Sequence, residues 1–266
     1  MARTILMAAL SALALTPAFA GEPLNPMTDS PTWEELRFDV VGETVLADGA
    51  GLLDLDAPYR AEDAATVPIV LRQLDEGAVI RRATVVIDEN PAPVAAELTF
   101  SEAMAPLEFE LRVRVNQYSN VRVIAETDEG SYMTGRFVKA SGGCSAPASR
   151  DPQMALEGMG QMKLRLFGDP QISTPRREAQ VMIRHPNYSG LQRDQVTQLF
   201  IPAHFIDHLE VWQGEEVLFT LDGGISVSEN PVFRFKYDDN GAEALTVRAT
   251  DTEGNSFEHV LPKSGA

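Results

Sequence analysis

The chain has 266 residues, with 39 acidic against 22 basic side chains and a formal net charge of −17 at pH 7. This balance argues against nucleic acid as a partner, because phosphate binding needs clustered lysine and arginine, and no basic amphipathic segment indicates adhesion to an anionic membrane. The single cysteine excludes a disulfide framework, so ordinary hydrophobic cores must hold the fold together.

The first twenty residues have the three parts of a secretory signal peptide. Arg3 supplies the positive start, Ile5 to Leu15 is an apolar run, and a small-x-small cleavage site ends at Ala20. The apolar run is too short to span a bilayer, since spanning needs ~20 apolar residues. We therefore expect a soluble mature protein that is exported into a periplasm.

A short helix is predicted near the start of the mature chain. Ser30 stands in the N-cap position, Pro31 in the first helical position, and Trp33 is expected to dock on the domain. The helix is predicted to have one or two turns. Residues 52–65 carry several acids and a proline with no clear period, which predicts a connection.

Period-two alternation then predicts a first set of six strands separated by turns. Glu108 to Val115 is the clearest of them, because apolar and charged residues alternate along it. Six short strands with almost no helical periodicity indicate an antiparallel sandwich. The six are Val67 to Gln73, Val79 to Ile87, Ala95 to Ser101, Glu108 to Val115, Ser119 to Thr127 and Ser131 to Lys139.

A second region of about one hundred residues is also rich in strand patterns, and its count of seven matches a small immunoglobulin-like sandwich. The predicted strands are Met162 to Phe167, Glu178 to His185, Ile206 to Gln213, Glu216 to Leu221, Val232 to Tyr237, Ala244 to Asp251 and Ser256 to Leu261. The predicted fold class is therefore all-β, with two immunoglobulin-like β-sandwich domains joined by a flexible linker that contains glycine and proline. The predicted boundaries are a signal peptide at 1–20, a first sandwich at 21–143, a cysteine arm and linker at 144–161, and a second sandwich at 162–266.

Cys144 is the only cysteine, and small residues surround it, with Gly142 and Gly143 before it and Ser145 after it. Such neighbours cannot build a core, so we expect the thiol to be exposed and mobile. A lone thiol in an exported protein is usually reactive or intermolecular. Cys144 is therefore the candidate site of covalent attachment, with Gly142 and Gly143 as a flexible arm, and a dimer linked by a Cys144 disulfide stays open.

Other chemistry is weakly indicated. The four histidines include one pair, His204 and His208, whose spacing places both on one face, but no zinc-protease pattern accompanies it. We predict no metal and no cofactor. A Cys-His catalytic pair stays open, because such partners are adjacent in space and not in sequence, although a mobile thiol would suit catalysis poorly.

Three blocks of the second region are specific: His185-Pro186 with Gly190-Leu191, Ile201 to Ile206, and Asn230-Pro231 with Phe233 and Phe235. Together with Val138 to Cys144, they resemble the SoxYZ sulfur carriers of periplasmic thiosulfate oxidation. In that family one sandwich subunit ends in a glycine-flanked cysteine arm, and a second, smaller sandwich subunit binds it. The resemblance implies a carrier role for Cys144 and a scaffold role for the second-region blocks.

Two departures from the family are visible. Both subunits are fused here, and the arm continues into Ser145, Ala146 and Pro147, so it is tethered at both ends. Fused versions look like the SoxYZ-like carriers associated with quinoprotein dehydrogenases. We expect a non-enzymatic periplasmic carrier that presents a sulfur-containing or other thiol-bound intermediate to Sox-type enzymes, cytochromes or a quinoprotein dehydrogenase. The alternatives are a non-catalytic accessory protein of a quinoprotein (PQQ) dehydrogenase system, in which the thiol is incidental, and an enzyme with Cys144 as nucleophile.

Overall fold

The computed structural model describes residues 25–147, 156–168 and 174–264. The predicted signal peptide lies outside these residues, as do positions 148–155 of the predicted linker. The first half contains α1 (Pro31–Val41), β1 (Leu46–Asp48), β2 (Leu53–Asp56), β3 (Val67–Gln73), β4 (Arg82–Ile87), β5 (Val94–Phe100), a 3-10 turn (Glu102–Met104), β6 (Glu108–Val113), β7 (Ser119–Thr127) and β8 (Gly130–Val138). The second half contains β9 (Met162–Phe167), β10 (Arg176–Ile183), β11 (Ile206–Gln213), β12 (Glu216–Gly223), β13 (Val232–Asp238), β14 (Ala244–Asp251) and β15 (Ser256–Pro262).

Helix α1 begins as the sequence predicts. The Ser30 hydroxyl accepts a hydrogen bond from the Trp33 backbone N–H at 3.1 Å, and Pro31 occupies the first helical position. The helix has 11 residues, so it is longer than the one or two turns predicted. Trp33 is buried, and the Arg122 guanidinium lies 4.6 Å from its ring centroid, which confirms that Trp33 docks on the sandwich.

All thirteen predicted strands are present, and five have the predicted bounds: β3, β7, β9, β11 and β14. Two further strands, β1 and β2, were missed because three or four residues are too few to show alternation. The prediction of a connection over 52–65 was therefore wrong at β2. There Leu53 and Leu55 are buried and the strand pairs with β3.

The strands form two sheets, and each sheet contains strands of both halves. The nine-stranded sheet has the order β1-β8-β7-β4-β5-β12-β11-β14-β15, and the six-stranded sheet has the order β2-β3-β6-β13-β10-β9. The halves join at β5 with β12 in one sheet and at β6 with β13 in the other, both antiparallel. Backbone hydrogen bonds therefore run across the boundary between the halves in both layers.

One continuous core lies between the two sheets. Its centre is an aromatic cluster at the seam, where Phe109 of the first half contacts Phe219 of the second at 4.9 Å between ring centroids, and Phe219 contacts Phe235 at 5.0 Å. This shared core and the continuous sheets fix the two sandwich halves relative to each other. Within the described residues, no helix has the length and apolar character needed to cross a bilayer.

Candidate functional site

Cys144 lies in a turn shortly after β8, and its side chain is buried with no exposed surface. The prediction of an exposed thiol was therefore wrong. The small residues beside Cys144 in the chain do not bury it. They allow it to lie close to backbone and side chains from distant segments, and those segments supply the enclosure.

The two glycines before the cysteine are held by backbone hydrogen bonds. Gly142 N–H donates to the Asn116 carbonyl at 2.8 Å, and Gly143 N–H donates to the Val115 carbonyl at 3.1 Å. A Cβ atom on Gly143 would lie 2.1 Å from the Ala64 carbonyl oxygen, so glycine is needed there for close approach. Gly142 has φ +77°, which glycine adopts most readily. In this closed arrangement both glycines are held in place, and the prediction that they form a flexible arm stays a prediction.

The second half of the chain also holds the turn. The Ser189 hydroxyl donates to the Cys144 carbonyl, and Gln192 Nε2 donates to the Ala146 carbonyl at 3.1 Å. Ser189 and Gln192 are both buried, and they bond each other through Ser189 N–H and Gln192 Oε1 at 3.1 Å. The turn that carries the thiol is therefore closed by the half that follows it in sequence.

A buried arginine completes the surroundings of the thiol. Arg114 is 1% exposed, and its guanidinium donates to the carbonyls of Gly143 at 3.2 Å and Asn187 at 3.3 Å. Its Nε–H has no hydrogen-bond partner, and no carboxylate of the described chain forms a salt bridge with it. Burial lowers the pKa of Arg114, opposed by the charges of Cys144 and Glu229.

These surroundings determine the ionisation of the thiol. Burial raises the pKa of Cys144 to about 11, although the nearby charge of Arg114 works in the opposite direction. At neutral pH the thiol is therefore protonated and shielded, and a protonated thiol is a poor nucleophile. Among the described residues, no hydrogen bond or ion pair joins the thiol to a histidine, which leaves a Cys-His catalytic pair without support.

A histidine-aspartate group lies in the second half. Asp251 Oδ2 is 2.8 Å from His204 Nε2 and 3.3 Å from His185 Nε2, and the possible ligand atoms of the three lie within 4.8 Å of one another. Spacing in the sequence suggested His204 and His208 as a pair, but in the structure His208 Nδ1 lies 2.6 Å from Asp222 Oδ1. Spacing along the chain gave no signal for the true partners, which lie on different segments.

Hydrogen bonding explains this group without a metal. His185 Nδ1 accepts the Asn187 backbone N–H at 3.1 Å, so the neutral ring carries its proton on Nε2, directed at Asp251. A metal on that nitrogen would displace this proton, whereas histidine ligands normally donate their other N–H to an acceptor. Burial raises the pKa of Asp251, but hydrogen bonds from Asn255, His204 and His185 outweigh it and hold the pKa at about 2.

The fold and the site together define a class: an immunoglobulin-like β-sandwich protein with one thiol enclosed where two sandwich halves meet. The family model described as sulfur oxidation protein SoxY matches residues 37–144, and the model described as sulphur oxidation protein SoxZ matches residues 173–262. The chain therefore belongs to the SoxYZ family, with its SoxY and SoxZ parts fused in one polypeptide. The SoxY match ends at Cys144.

Among the solved structures that match, we describe one that is similar to part of the chain. It is the sulfur carrier protein SoxY from Chlorobium limicola f thiosulfatophilum, with 23% sequence identity and a TM-score of 0.34. The match covers 41% of this chain and 94% of that chain. None of the curated proteins matches the sequence.

Proposed function

We propose that this protein is a non-enzymatic periplasmic carrier that holds a sulfur-containing group covalently on Cys144 and presents it to partner oxidoreductases. The observation that carries the proposal is the position of Cys144, which is the last residue of the SoxY match and lies in a turn enclosed by the SoxZ half. The N-terminal signal pattern supports the periplasmic location, and membership of the SoxYZ family supports Sox-type partners.

A carrier of this kind must open its turn to load and to deliver the group. Opening breaks the bonds from Ser189, Gln192 and Arg114 to the turn, each of which contributes about 1 kcal/mol net. That total is small enough for a docked partner to supply. The closed turn then protects the loaded group from water and stray thiols between partners.

Intact-mass measurement tests the proposal. Tetrathionate reacts with a thiolate by breaking its central S–S bond, so that the cysteine gains an S–SO₃⁻ group and thiosulfate leaves with the electron pair. We expect one such adduct on the folded wild-type protein and none on Cys144→Ser. Protein taken from the periplasm should carry a sulfur adduct that is absent from the variant. An unmodified wild-type thiol in both experiments, with reaction only after denaturation, would overturn the carrier role.

A second candidate is an accessory protein of a quinoprotein dehydrogenase, in which the thiol is incidental. The burial and raised pKa of Cys144 favour it, because such a thiol is inert while the turn stays closed. Exposed apolar side chains at Val196, Leu199 and Phe200, in the segment after Gln192, offer a contact surface for a partner. A Cys144→Ser strain that keeps full pathway function would select this candidate, and loss of function would select the carrier.

A further inference from the structure

We propose that Arg114 binds the anionic end of the group carried on Cys144, so that the closed turn forms an internal pocket for a sulfonate-bearing adduct. The inference rests on the carrier role proposed above and adds the side chain that binds the cargo. It is carried by the environment of the guanidinium, which is buried and forms no salt bridge within the described residues.

The first step is that no carboxylate of the described chain forms a salt bridge with Arg114. An arginine side chain stays protonated even when buried, and a buried charge is costly unless it is paired. Here the guanidinium is 1% exposed, and its hydrogen-bond partners among the described residues are the neutral carbonyls of Gly143 and Asn187. Glu229 and Asp63 act on its charge electrostatically, but neither forms a salt bridge with it in the described chain.

The second step is that a donor remains free. Arg114 Nε–H is buried and has no hydrogen-bond partner within the described residues, and a buried unsatisfied donor destabilises the protein. A guanidinium presents its donors in a planar fork that matches the oxygens of an oxyanion. A ligand with two or three anionic oxygens would therefore satisfy both the free donor and the charge.

The third step places the anion on Cys144. Arg114 donates to the carbonyl of Gly143, the residue that directly precedes Cys144, and the two side chains interact electrostatically. Burial keeps the pKa of the thiol at about 11, so the thiol itself supplies no anion at neutral pH. A group attached to the sulfur and ending in a sulfonate would place a negative charge beside Arg114.

Two adducts of opposite character test the pocket. Tetrathionate gives Cys144–S–S–SO₃⁻ and releases thiosulfate, whereas 2-hydroxyethyl disulfide gives a neutral mixed disulfide and releases 2-mercaptoethanol. Both reactions are disulfide exchange, in which one S–S bond breaks, one forms and the electron pair leaves on the departing sulfur. Loading in mild denaturant, followed by its removal, provides both adducts even if the folded protein reacts slowly.

The measurement is the melting temperature of each adduct in three proteins: wild type, Arg114→Met and Arg112→Met. Arg112 is the matched control, because it lies only two residues before Arg114, in β6, and is exposed. In wild type and Arg112→Met, we expect the sulfonate adduct to melt about 2–4 °C above the neutral adduct. In Arg114→Met this difference should vanish or reverse. Arg114→Lys, which keeps the charge without the fork, should give an intermediate difference and serves if the methionine variant fails to fold.

The outcomes separate this inference from the carrier role. Equal melting temperatures for the two adducts in wild type would overturn the role of Arg114, and so would the same difference in wild type and both Arg114 variants. Neither result bears on whether the periplasmic protein carries an adduct, which the intact-mass experiment decides alone. Conversely, failure of the folded protein to load would leave the adduct comparison fully measurable.

Discussion

The Ser189 hydroxyl donates a hydrogen bond to the Cys144 carbonyl, so the SoxZ half of the chain holds closed the turn that carries the only thiol. Ser189 in turn is bonded through its N–H to Gln192, whose amide holds the Ala146 carbonyl on the other side of the cysteine. We call the side chains of Ser189 and Gln192 the clasp. In this fused protein the clasp and the thiol are parts of one polypeptide.

Removing the clasp should expose the thiol. In Ser189→Ala, loss of about 1 kcal/mol from the closed state should raise the rate of Cys144 alkylation by about fivefold, and addition of Gln192→Ala should raise it further. Alkylation followed by mass spectrometry measures this rate. Ser256→Ala, on the exposed face of β15, is the control and should react at the wild-type rate. Equal rates in all variants would show that other contacts keep the turn closed.

The two glycines should respond differently to alanine. Gly143→Ala places a Cβ against the Ala64 carbonyl, so the turn cannot close as it stands, and we expect a loss of about 2–3 kcal/mol with a much more reactive thiol. Gly142→Ala has space for its Cβ but meets the positive φ, which costs about 1 kcal/mol. Denaturant unfolding of both variants measures the difference. A smaller loss for Gly143→Ala than for Gly142→Ala would contradict the closed turn.

Alkaline pH should weaken the protein through Cys144. The unfolded thiol ionises near pH 9.0, while burial raises the pKa of the folded thiol to about 11. The unfolded state therefore binds fewer protons in this window. The stabilising contribution is complete below pH 9 and is lost as the pH rises towards 11, by about 2–3 kcal/mol. The difference in unfolding free energy between wild type and Cys144→Ala, measured from pH 8 to 11, isolates this contribution. A constant difference would contradict the buried, protonated thiol.

Acid should lower the free energy of unfolding through Asp251, whereas alkaline pH lowers it through Cys144. Hydrogen bonds from Asn255 and the two histidines hold the pKa of this carboxyl at about 2, below its ordinary 3.8. Its contribution is therefore complete above pH 4 and is lost as the pH falls through 2, with a size of about 2 kcal/mol. The stability difference between wild type and Asp251→Asn should shrink over that range. Asp222→Asn, at an exposed carboxylate, is the control.

Separate expression of the halves should still give one particle. Residues 21–147 and 156–266 share the β5–β12 and β6–β13 pairs and the aromatic cluster around Phe109 and Phe219. We expect the two fragments to co-purify as a 1:1 complex, because each alone would expose two strand edges and half a core. Size-exclusion chromatography with mass measurement checks this. Two stable monomeric fragments would contradict the shared core.

Local patterns predicted most of the secondary structure. The N-cap at Ser30 and the thirteen alternating strands were readable because capping and alternation act between neighbours in the chain. The alternating pattern gave a wrong prediction for Arg114. Continued beyond β6, the pattern would place Arg114 on the solvent face. The strand ends at Val113, and the segment around Ser226 pairs with the residues that follow, so Arg114 becomes buried.

The sequence by itself determined an all-β chain with one thiol, a signal-like start and the blocks by which the SoxYZ family is identified. Only the tertiary structure decided that Cys144 is enclosed, that Arg114 is buried nearby with no salt bridge to a described carboxylate, and that both sheets run through both halves. The physical reason is that burial and charge compensation are supplied by segments distant in the chain, such as Ala64 and Ser189. Flanking residues alone cannot reveal those partners, so a run of small residues predicted flexibility where it permits close packing.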